Sequence, residues 1–399
     1  MNLNRPLRLR NKIQEYDWGS RTAIPSILGL PKPSKVPMAE LWMGAHPKAP
    51  SEVEIDGKWI RLDELISKMP EPILGEDIAA KFSKELPFLF KIIAAEMPLS
   101  IQVHPNKEQA IKGFEKENKL KIPLDSPKRN YKDKNHKPEL LCAISEFEVL
   151  KGFRPIDEII YFVEKAVPLS LRDELDVLKE NKNLKVFYTA IMRMEKQKRE
   201  KVMEELLDNA EKLKNEPEFS LVLRLNRFFP KDIGVLSPLI LNYRVLKPGE
   251  AIFLPACQLH AYIKGVGMEI MANSDNVIRG GLTHKHVDVD ELLNILDFES
   301  MPFDTVSPTL ENEIEFRYLV PAKEFLLSVI SLEHGKDFIS SKKRSVEIIF
   351  VLDGSAIMKD HKGNELLKLK RGDSFLIPSV MPPYSISGKA TIYKASVPL

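Results

Sequence analysis

The sequence has little cysteine, no long apolar run and almost no net charge. Its only cysteines among 399 residues are Cys142 and Cys257, so a disulfide framework and a CxxC thiolate metal site are both excluded. The longest apolar stretch near the start, residues 86–101, is interrupted by Lys91 and Glu96 and is too short and too charged to span a bilayer. The net charge of +2 leaves no overall field to attract nucleic acid or an anionic membrane.

The start of the chain carries basic residues, but no apolar segment of the kind that directs secretion follows them. With so little cysteine as well, we expect a reduced, cytoplasmic location. A composition of 43% hydrophobic and 29% charged residues is typical of a soluble globular protein. The composition and charge favour a protein that acts on a small molecule and has no nucleic-acid or membrane partner. We take a monomer as the default oligomeric state.

Residues 1–150 show mainly β patterning. Residues 52–55 alternate polar and apolar side chains, and the following Asp56-Gly57 predicts a type I′ hairpin turn. Short helices are predicted over Leu62 to Lys68 and through Glu108 to Glu115. The first part of the chain is therefore expected to form strands with a few short helices between them.

Residues 153–230 instead repeat apolar side chains with a helical period. The positions 156, 159, 160 and 163 are Ile, Ile, Ile and Val, which follow the i, i+3, i+4, i+7 template of an amphipathic helix. Lysine and glutamate fill the positions between them. The pattern predicts an all-helical insertion of about five helices.

The stretch richest in chemically active residues runs from Leu246 to Asp288. Gly249 opens a short apolar run that Pro255 ends, and His260 follows five residues later. This spacing is typical of the second half-motif of a cupin barrel, in which a hairpin directs one imidazole into the barrel mouth. A dense polar block comes next: Ser274, Asp275, Asn276, Arg279 and the pair Gly280-Gly281. An imidazole followed by such a block indicates an active site.

Part of this stretch is repeated, with changes, near the end of the chain. Residues 246–255 (LKPGEAIFLP) and 369–378 (LKRGDSFLIP) share one pattern, but Pro383 stands at the position that corresponds to His260. We predict a mainly β fold with two cupin-type (jelly-roll) β-barrel domains and an all-helical inserted domain. The predicted boundaries are 1–152 plus 235–315 for the catalytic cupin domain, 153–234 for the helical insertion and 316–399 for a C-terminal cupin-like domain without metal ligands.

Four residues form a candidate metal site. Gln102 and His104 alternate with apolar residues, so they lie on one face of a strand, and His260 is expected nearby. Glu139, at the start of another predicted strand, completes the set. Two imidazoles, a carboxylate and an amide oxygen suit one Zn²⁺ with an open position for substrate or water, although Fe²⁺, Mn²⁺ or Co²⁺ would also fit such ligands.

Five blocks of sequence carry a resemblance to a known family. They are residues 16–20 (YDWGS), 40–47 (ELWMGAHP), 100–105 (SIQVHP), 135–139 (NHKPE) and 271–283 (MANSDNVIRGGLT). Together, in this order and spacing, they resemble the class I, zinc-dependent mannose-6-phosphate isomerases of the cupin superfamily. The sequence departs from the family pattern at Cys257, where glycine is usual, and at His284, where proline is frequent.

The resemblance implies an aldose–ketose isomerase that interconverts mannose 6-phosphate and fructose 6-phosphate through a cis-enediol(ate). Its zinc ligands would be Gln102, His104, Glu139 and His260. Arg279 would stabilise the enediolate. The expected acid–base and ring-opening residues are His136, Lys137 and Asp275, and the expected contacts to the sugar phosphate are Lys91, Ser100 and Lys137.

Three alternatives stay open. A cupin oxygenase with Fe²⁺ would share the fold, but a glutamine ligand, the polar block after His260 and the lysine-rich loop 116–137 favour a phosphosugar enzyme. The substrate could be another phosphosugar. A non-catalytic sugar-binding cupin is the third reading, and it is disfavoured because every proposed catalytic position holds a residue capable of its role.

Overall fold

The computed structural model describes residues 2–333 and 335–399, and their strands form two antiparallel sheets of eleven and ten strands. Nine strands precede the helical region: β1 (Leu7–Arg10), β2 (Lys12–Gln14), β3 (Glu40–Gly44), β4 (Glu52–Ile55), β5 (Lys58–Arg61), β6 (Phe88–Ala95), β7 (Ile101–Val103), β8 (Glu139–Ala143) and β9 (Phe147–Phe153). Helices α1 (Ala23–Leu28), α2 (Leu62–Lys68), α3 (Pro70–Leu74), α4 (Glu76–Lys81) and α5 (Lys107–Lys119) lie between them.

The helical region and the second half of the chain follow. The helices are α6 (Ile156–Ala166), α7 (Arg172–Asn181), α8 (Leu184–Met192), α9 (Lys196–Lys212), α10 (Pro217–Phe228), a 3₁₀ turn (Ile233–Leu236), α11 (Ser237–Ile240) and α12 (Val289–Ile295). The strands are β10 (Leu241–Leu246), β11 (Ala251–Leu254), β12 (His260–Ala272), β13 (Ile278–Gly281), β14 (Thr309–Leu310), β15 (Glu315–Tyr318), β16 (Leu326–Leu332), β17 (Asp337–Ile339), β18 (Glu347–Asp360), β19 (Glu365–Lys370), β20 (Ser374–Ile377) and β21 (Tyr384–Ser396).

Local sequence signals explain several of these elements. Asp56 and Gly57 have φ values of 50° and 76°, as a type I′ turn requires, and the predicted hairpin β4–β5 is confirmed. Helix α5 begins at a capping box, in which the side chains of Asn106 and Gln109 each accept a hydrogen bond from the other's backbone N–H. It runs four residues beyond the predicted end at Glu115.

The ten-stranded sheet is built around the long strand β12. This strand pairs with β6, β7, β8 and β9, and the main path of the sheet runs β10-β9-β12-β6-β3-β2. Most side chains of β6 and β8 are buried on both faces. Strands β6 and β8 begin beside the end of β12, whereas β7 and the end of β9 pair with its first residue, His260.

The insertion is helical, as its periodicity predicts. Helices α6 to α10 bury one apolar stripe each, through residues such as Val163, Leu206 and Phe219. Their core continues into the sheet, because Ile101 and Val103 of β7 belong to the same apolar cluster. None of the helices in residues 2–333 and 335–399 combines the length and apolar character needed to cross a bilayer.

The eleven-stranded sheet joins both ends of the chain. Strand β1 pairs with β20 through Leu7 and Leu376, and it pairs with β4 through Leu9 and Val53. The first strand therefore lies between N-terminal and C-terminal strands of one sheet. The coarse prediction of a mainly β protein with a helical insertion is confirmed.

The two similar sequence segments, residues 246–255 and 369–378, also form similar turns and strands. Gly249 and Gly372 turn with φ values of 87° and 85° before β11 and β20. Leu254 of β11 pairs with Glu139, the first residue of β8, and Ile377 of β20 pairs with Glu347, the first residue of β18. Pro383 lies directly before β21, where it offers no side-chain donor to a metal.

Candidate metal centre and active site

Three neighbouring strands bring the candidate ligands together. His260, the first residue of β12, pairs with Gln102 of β7, and His104 follows β7 directly. Glu139 begins β8, which also pairs with β12. Glu139 pairs with Met271 near the opposite end of β12 and with Leu254 of β11, so its side chain approaches the two histidines across the cavity and not at a shared strand end.

The two imidazoles face one carboxylate. The Nε2 atom of His104 lies 3.5 Å from Oε1 of Glu139, and Nε2 of His260 lies 3.4 Å from Oε2 of the same residue. The ring centroids of the two histidines are 5.0 Å apart. Donor atoms of these three buried residues all lie within 4.8 Å of one another, close enough to hold a metal ion.

Backbone carbonyl groups orient both rings. Nδ1 of His104 lies 2.7 Å from the carbonyl oxygen of Asn276, and Nδ1 of His260 lies 3.2 Å from that of Gln258. A carbonyl oxygen only accepts hydrogen bonds, so each Nδ1 carries a proton, which places the lone pair of the neutral ring on Nε2. Both lone pairs point toward Glu139.

This arrangement suits a cation. Nε2 of His104 is buried and has no hydrogen-bond partner among the described residues. Burial and the nearby Lys137 lower the pKa of His104 to about 4, so the ring is neutral near pH 7. Burial opposes ionisation of Glu139, but the charge of Lys137 holds the pKa of its carboxyl well below the ordinary value. Two lone pairs around an ionised carboxylate repel one another unless a positive charge lies between them.

Gln102 is partly buried and faces the same cavity. Its amide nitrogen lies 3.4 Å from Oγ of Ser100, which leaves the amide oxygen as the atom available to a metal. Lys137 lies at the other side, with Nζ 2.7 Å from Oε1 of Glu139. The cavity is lined by Glu40, Lys91, Ile93, Leu99, Ser100, Gln102, Lys137, Glu139, His260, Ala261, Tyr262 and Glu269.

Lys91 is engaged in a buried ionic cluster on the cavity wall. Its Nζ lies 2.6 Å from Oε2 of Glu269 and 3.6 Å from Oε1 of Glu40. The hydroxyl of Tyr262 donates to Glu269 at 2.8 Å, and the indole N–H of Trp42 donates to Glu40 at 2.7 Å. Sequence reasoning missed the two glutamates. A signal was present at Glu269, a single charged residue within the apolar strand GVGMEIMA.

Arg279 lies in β13, in register with Gln102. Within residues 2–333 and 335–399, no acidic side chain forms an ion pair with it, and burial lowers its pKa. Burial and the charge of Arg279 together lower the pKa of Lys285, another residue that sequence reasoning missed. Two basic groups that repel each other favour a nearby anion.

Two predicted acid–base residues contact other parts of the protein. Nε2 of His136 lies 2.9 Å from Oε1 of Glu324 in the C-terminal segment, and His136 is not among the cavity-lining residues given above. Asp275 is likewise absent from that lining, and its Oδ2 lies 2.9 Å from Nζ of Lys48 and 3.6 Å from Nε2 of His46. Of the four predicted catalytic residues, Lys137 is among the cavity-lining residues given above, and Arg279, His136 and Asp275 are not.

Known proteins resemble this chain over nearly its whole length. Mannose-6-phosphate isomerase from Escherichia coli (strain K12) is 38% identical, over 96% of this chain and 97% of its own. The enzyme of the same name from Schizosaccharomyces pombe is 33% identical, over 94% of this chain and 95% of its own. A crystal structure of a phosphomannose isomerase variant from Salmonella typhimurium superposes with a TM-score of 0.92 at 35% identity, over 99% of this chain and 100% of that one. A mannose 6-phosphate isomerase solved with zinc bound gives a TM-score of 0.90 at 35% identity, over the same shares of the two chains.

The antiparallel sheet and the His-Glu-His cluster at its cavity define a metal-binding β-sheet protein. Residues 7–156 match the catalytic domain of phosphomannose isomerase type I, and residues 164–241 match its helical insertion domain. Residues 316–397 match the cupin domain of mannose-6-phosphate isomerase. The chain belongs to the type I phosphomannose isomerase family.

Proposed function

We propose that the protein interconverts mannose 6-phosphate and fructose 6-phosphate at one zinc ion held by Gln102, His104, Glu139 and His260. The observation that carries the proposal is the meeting of two Nε2 lone pairs and an ionised carboxylate in the cavity of a chain of this family. When bound there, zinc would polarise the carbonyl or hold the sugar hydroxyl groups.

The reaction also needs acid–base groups and positive charge. Moving a hydrogen between C1 and C2 through a cis-enediol(ate) requires a group that takes and returns a proton. We assign a part in this proton transfer to Lys137, because its ammonium group lines the cavity beside Glu139 and can give a proton to a substrate oxygen. Arg279 supplies fixed positive charge for the developing enediolate.

Contacts to the phosphate group are proposed on the same grounds. Ser100 lines the cavity and can donate its hydroxyl. The charge of Lys91 is already compensated by Glu269 and Glu40, so this lysine is a weaker candidate than the sequence alone predicts. Lys285 beside Arg279 offers a second cation to an anionic group.

His136 and Asp275 stay predictions as acid–base groups, and their contacts favour supporting roles. His136 would have to leave Glu324, and Asp275 would have to leave Lys48, before either could approach a sugar in the cavity. A role in holding the loops around the site requires no such movement.

We further propose that each sheet closes as a cupin-type barrel and that the domains follow the boundaries predicted above, except that β1, β4 and β5 join the sheet of the C-terminal domain. The matching turns before β11 and β20, and the matching registers of Glu139 and Glu347, support two barrels of common ancestry. A monomeric state and a cytoplasmic location stay predictions from composition, and light scattering after gel filtration tests the former.

The function is tested by a coupled assay for conversion of mannose 6-phosphate to fructose 6-phosphate. Activity should disappear on chelation and return with Zn²⁺, and His104→Ala should not recover. A fully metallated protein without turnover would contradict the assignment. Other phosphosugars would then be assayed, and sugar binding without turnover would indicate a non-catalytic member of the family.

A further inference from the structure

We propose that Asn276 is a positioning residue, which holds His104 in its metal-binding tautomer and fixes the segment 132–135 next to it. The proposal deepens the proposed function, because it rests on the role of His104 as a ligand. It also gives a specific task to the polar block after His260, which the sequence alone suggests could act on the substrate directly.

The main chain of Asn276 acts on the histidine. Its carbonyl oxygen accepts the proton of His104 Nδ1 at 2.7 Å. This contact fixes both the tautomer and the ring plane, and it leaves Nε2 turned toward Glu139. The position of one ligand therefore depends on where the backbone of residue 276 lies.

The side chain of Asn276 holds that backbone to a second segment. The side chain is fully buried, and its Oδ1 accepts the N–H groups of Lys132 and Asp133 at 2.6 and 3.1 Å. Its Nδ2 donates to the carbonyl oxygens of Asp133 and Asn135 at 2.9 and 2.8 Å, and lies 3.2 Å from the Asp133 carboxylate. One amide thus uses its full hydrogen-bonding capacity on residues 132–135.

Asp133 completes the attachment from the other side. Its carboxylate accepts the hydroxyl of Ser274 at 2.9 Å and the N–H groups of Asp275 and Asn135, each at 2.8 Å. The two segments are therefore bonded in both directions. Segment 132–135 leads within a few residues to Lys137 and Glu139, so a single buried junction sets the relative position of His104 and the opposite ligand.

Only asparagine satisfies this junction at position 276. It presents an acceptor to two N–H groups and donors to two carbonyl groups at the same time. An aspartate of the same shape would place an oxygen against two carbonyl oxygens and against the Asp133 carboxylate. The segments would separate, and the carbonyl that orients His104 would move with them.

The test compares Asn276→Asp with Asn242→Asp in the full-length protein. Asn242 is a matched control, because its buried Nδ2 also donates to two backbone carbonyl groups, those of Phe153 and Met301, and lies 3.4 Å from that of Gly152. Zinc affinity is measured by competition with a chelator. We expect Asn276→Asp to weaken zinc binding by about 10- to 100-fold, the usual effect of losing a residue that orients a ligand. Asn242→Asp should stay within about threefold of the parent protein.

A second readout does not involve the metal. Nitrogen-15 NMR of the metal-free protein, with its eight histidines labelled, reports the tautomer of each ring. The signals of His104 are those that disappear in His104→Gln. They should show a ring protonated at Nδ1 in the parent protein and in Asn242→Asp. In Asn276→Asp the ring should no longer be held in that one tautomer. Unchanged tautomer and zinc affinity in Asn276→Asp would overturn the proposal, and so would equal losses in both variants.

The test remains decisive if Asn276→Asp does not fold. Asp133→Asn then replaces it, and a loss of zinc affinity of at least about tenfold relative to Asn242→Asp supports the proposal, while a smaller loss overturns it. A parent protein that binds no zinc would instead refute the proposed function. In that case the NMR comparison still decides whether Asn276 sets the tautomer of His104.

Discussion

The buried ion pair between Lys91 and Glu269 should show strong energetic coupling. We would replace Lys91 with methionine, Glu269 with glutamine, and then both together. Each single change removes one partner of a contact that is 2.6 Å long and almost fully shielded from water. Methionine keeps most of the lysine stem, and glutamine keeps an oxygen for the hydroxyl of Tyr262.

The magnitudes follow from what each variant leaves buried. Breaking a buried pair from one side costs about 3–5 kcal/mol, because the other charge is left uncompensated. Independent effects would therefore sum to about 6–10 kcal/mol. Since the double variant leaves neither charge of the pair, its cost should be no more than about 3 kcal/mol, with Glu40 keeping its bond to Trp42. The coupling energy is then at least about 3 kcal/mol.

The assay is urea unfolding of the metal-free proteins, followed by tryptophan fluorescence. A second signature comes from pH. Burial raises the pKa of Glu269 and Lys91 opposes this effect, so Lys91→Met should raise the pKa of Glu269 further. The folded Lys91→Met variant then binds more protons than its unfolded chain. Its free energy of unfolding should therefore fall as pH rises above the ordinary glutamate pKa. Additive single effects, or a Lys91→Met variant that gains stability toward alkaline pH, would refute this reasoning.

Three other changes test separate features. His136→Gln and Glu324→Gln break the same contact, so their kcat/KM values should agree within about threefold, whereas an essential acid at His136 would cost about 10²–10⁴ in its variant alone. Burial lowers the pKa of His46 to about 4, so as pH falls the unfolded chain binds this proton before the folded protein does. About 3 kcal/mol of stability is therefore lost between about pH 6.5 and pH 4. In acid unfolding, the stability of His46→Gln should fall less steeply with pH than that of the parent protein. Cys257 has a φ of 68°, so Cys257→Val should be at least about 1 kcal/mol less stable than Cys257→Ala in urea unfolding.

Each of these predictions has a clear contrary outcome. A His136 variant much slower than the Glu324 variant would restore His136 as an acid–base group. Parallel acid-unfolding curves for the parent protein and His46→Gln would mean that this ring titrates as it does in water. Equal stability of the two Cys257 variants would show that the backbone relaxes away from the left-handed region at no cost.

Local patterns in the sequence predicted the local structure well. The Asp56-Gly57 turn, helix α2 and the five helices of the insertion depend on residues close together in the chain, whose preferences can be recognised directly. The left-handed backbone of Cys257 likewise explains in physical terms why glycine is usual at that position. The convergence of His104, Glu139 and His260 was predicted from a cupin-type arrangement, and the donor atoms of the three residues do lie within 4.8 Å of one another.

Contacts between distant segments could not be predicted in the same way. His136 and Glu324 are separated by 188 residues, and neither neighbourhood carries a pattern that points to the other. Asp275 contacts Lys48 for the same kind of reason, and the Lys91 cluster draws its glutamates from β3 and β12. A charged residue has many potential partners, and the folded topology alone selects among them.

The placement of β1 has a consequence for how the protein is made. Arg8 forms an ion pair with Asp373, which is 365 residues away, and the backbones of Leu7 and Leu376 are paired. During synthesis Leu7 leaves the ribosome 369 residues before its partner Leu376. An exposed strand edge must therefore wait while those residues are made, and it is open to pairing with other nascent chains during that time. Slow translation or truncation near the C-terminus should thus promote aggregation, even though the cavity lies in the other sheet.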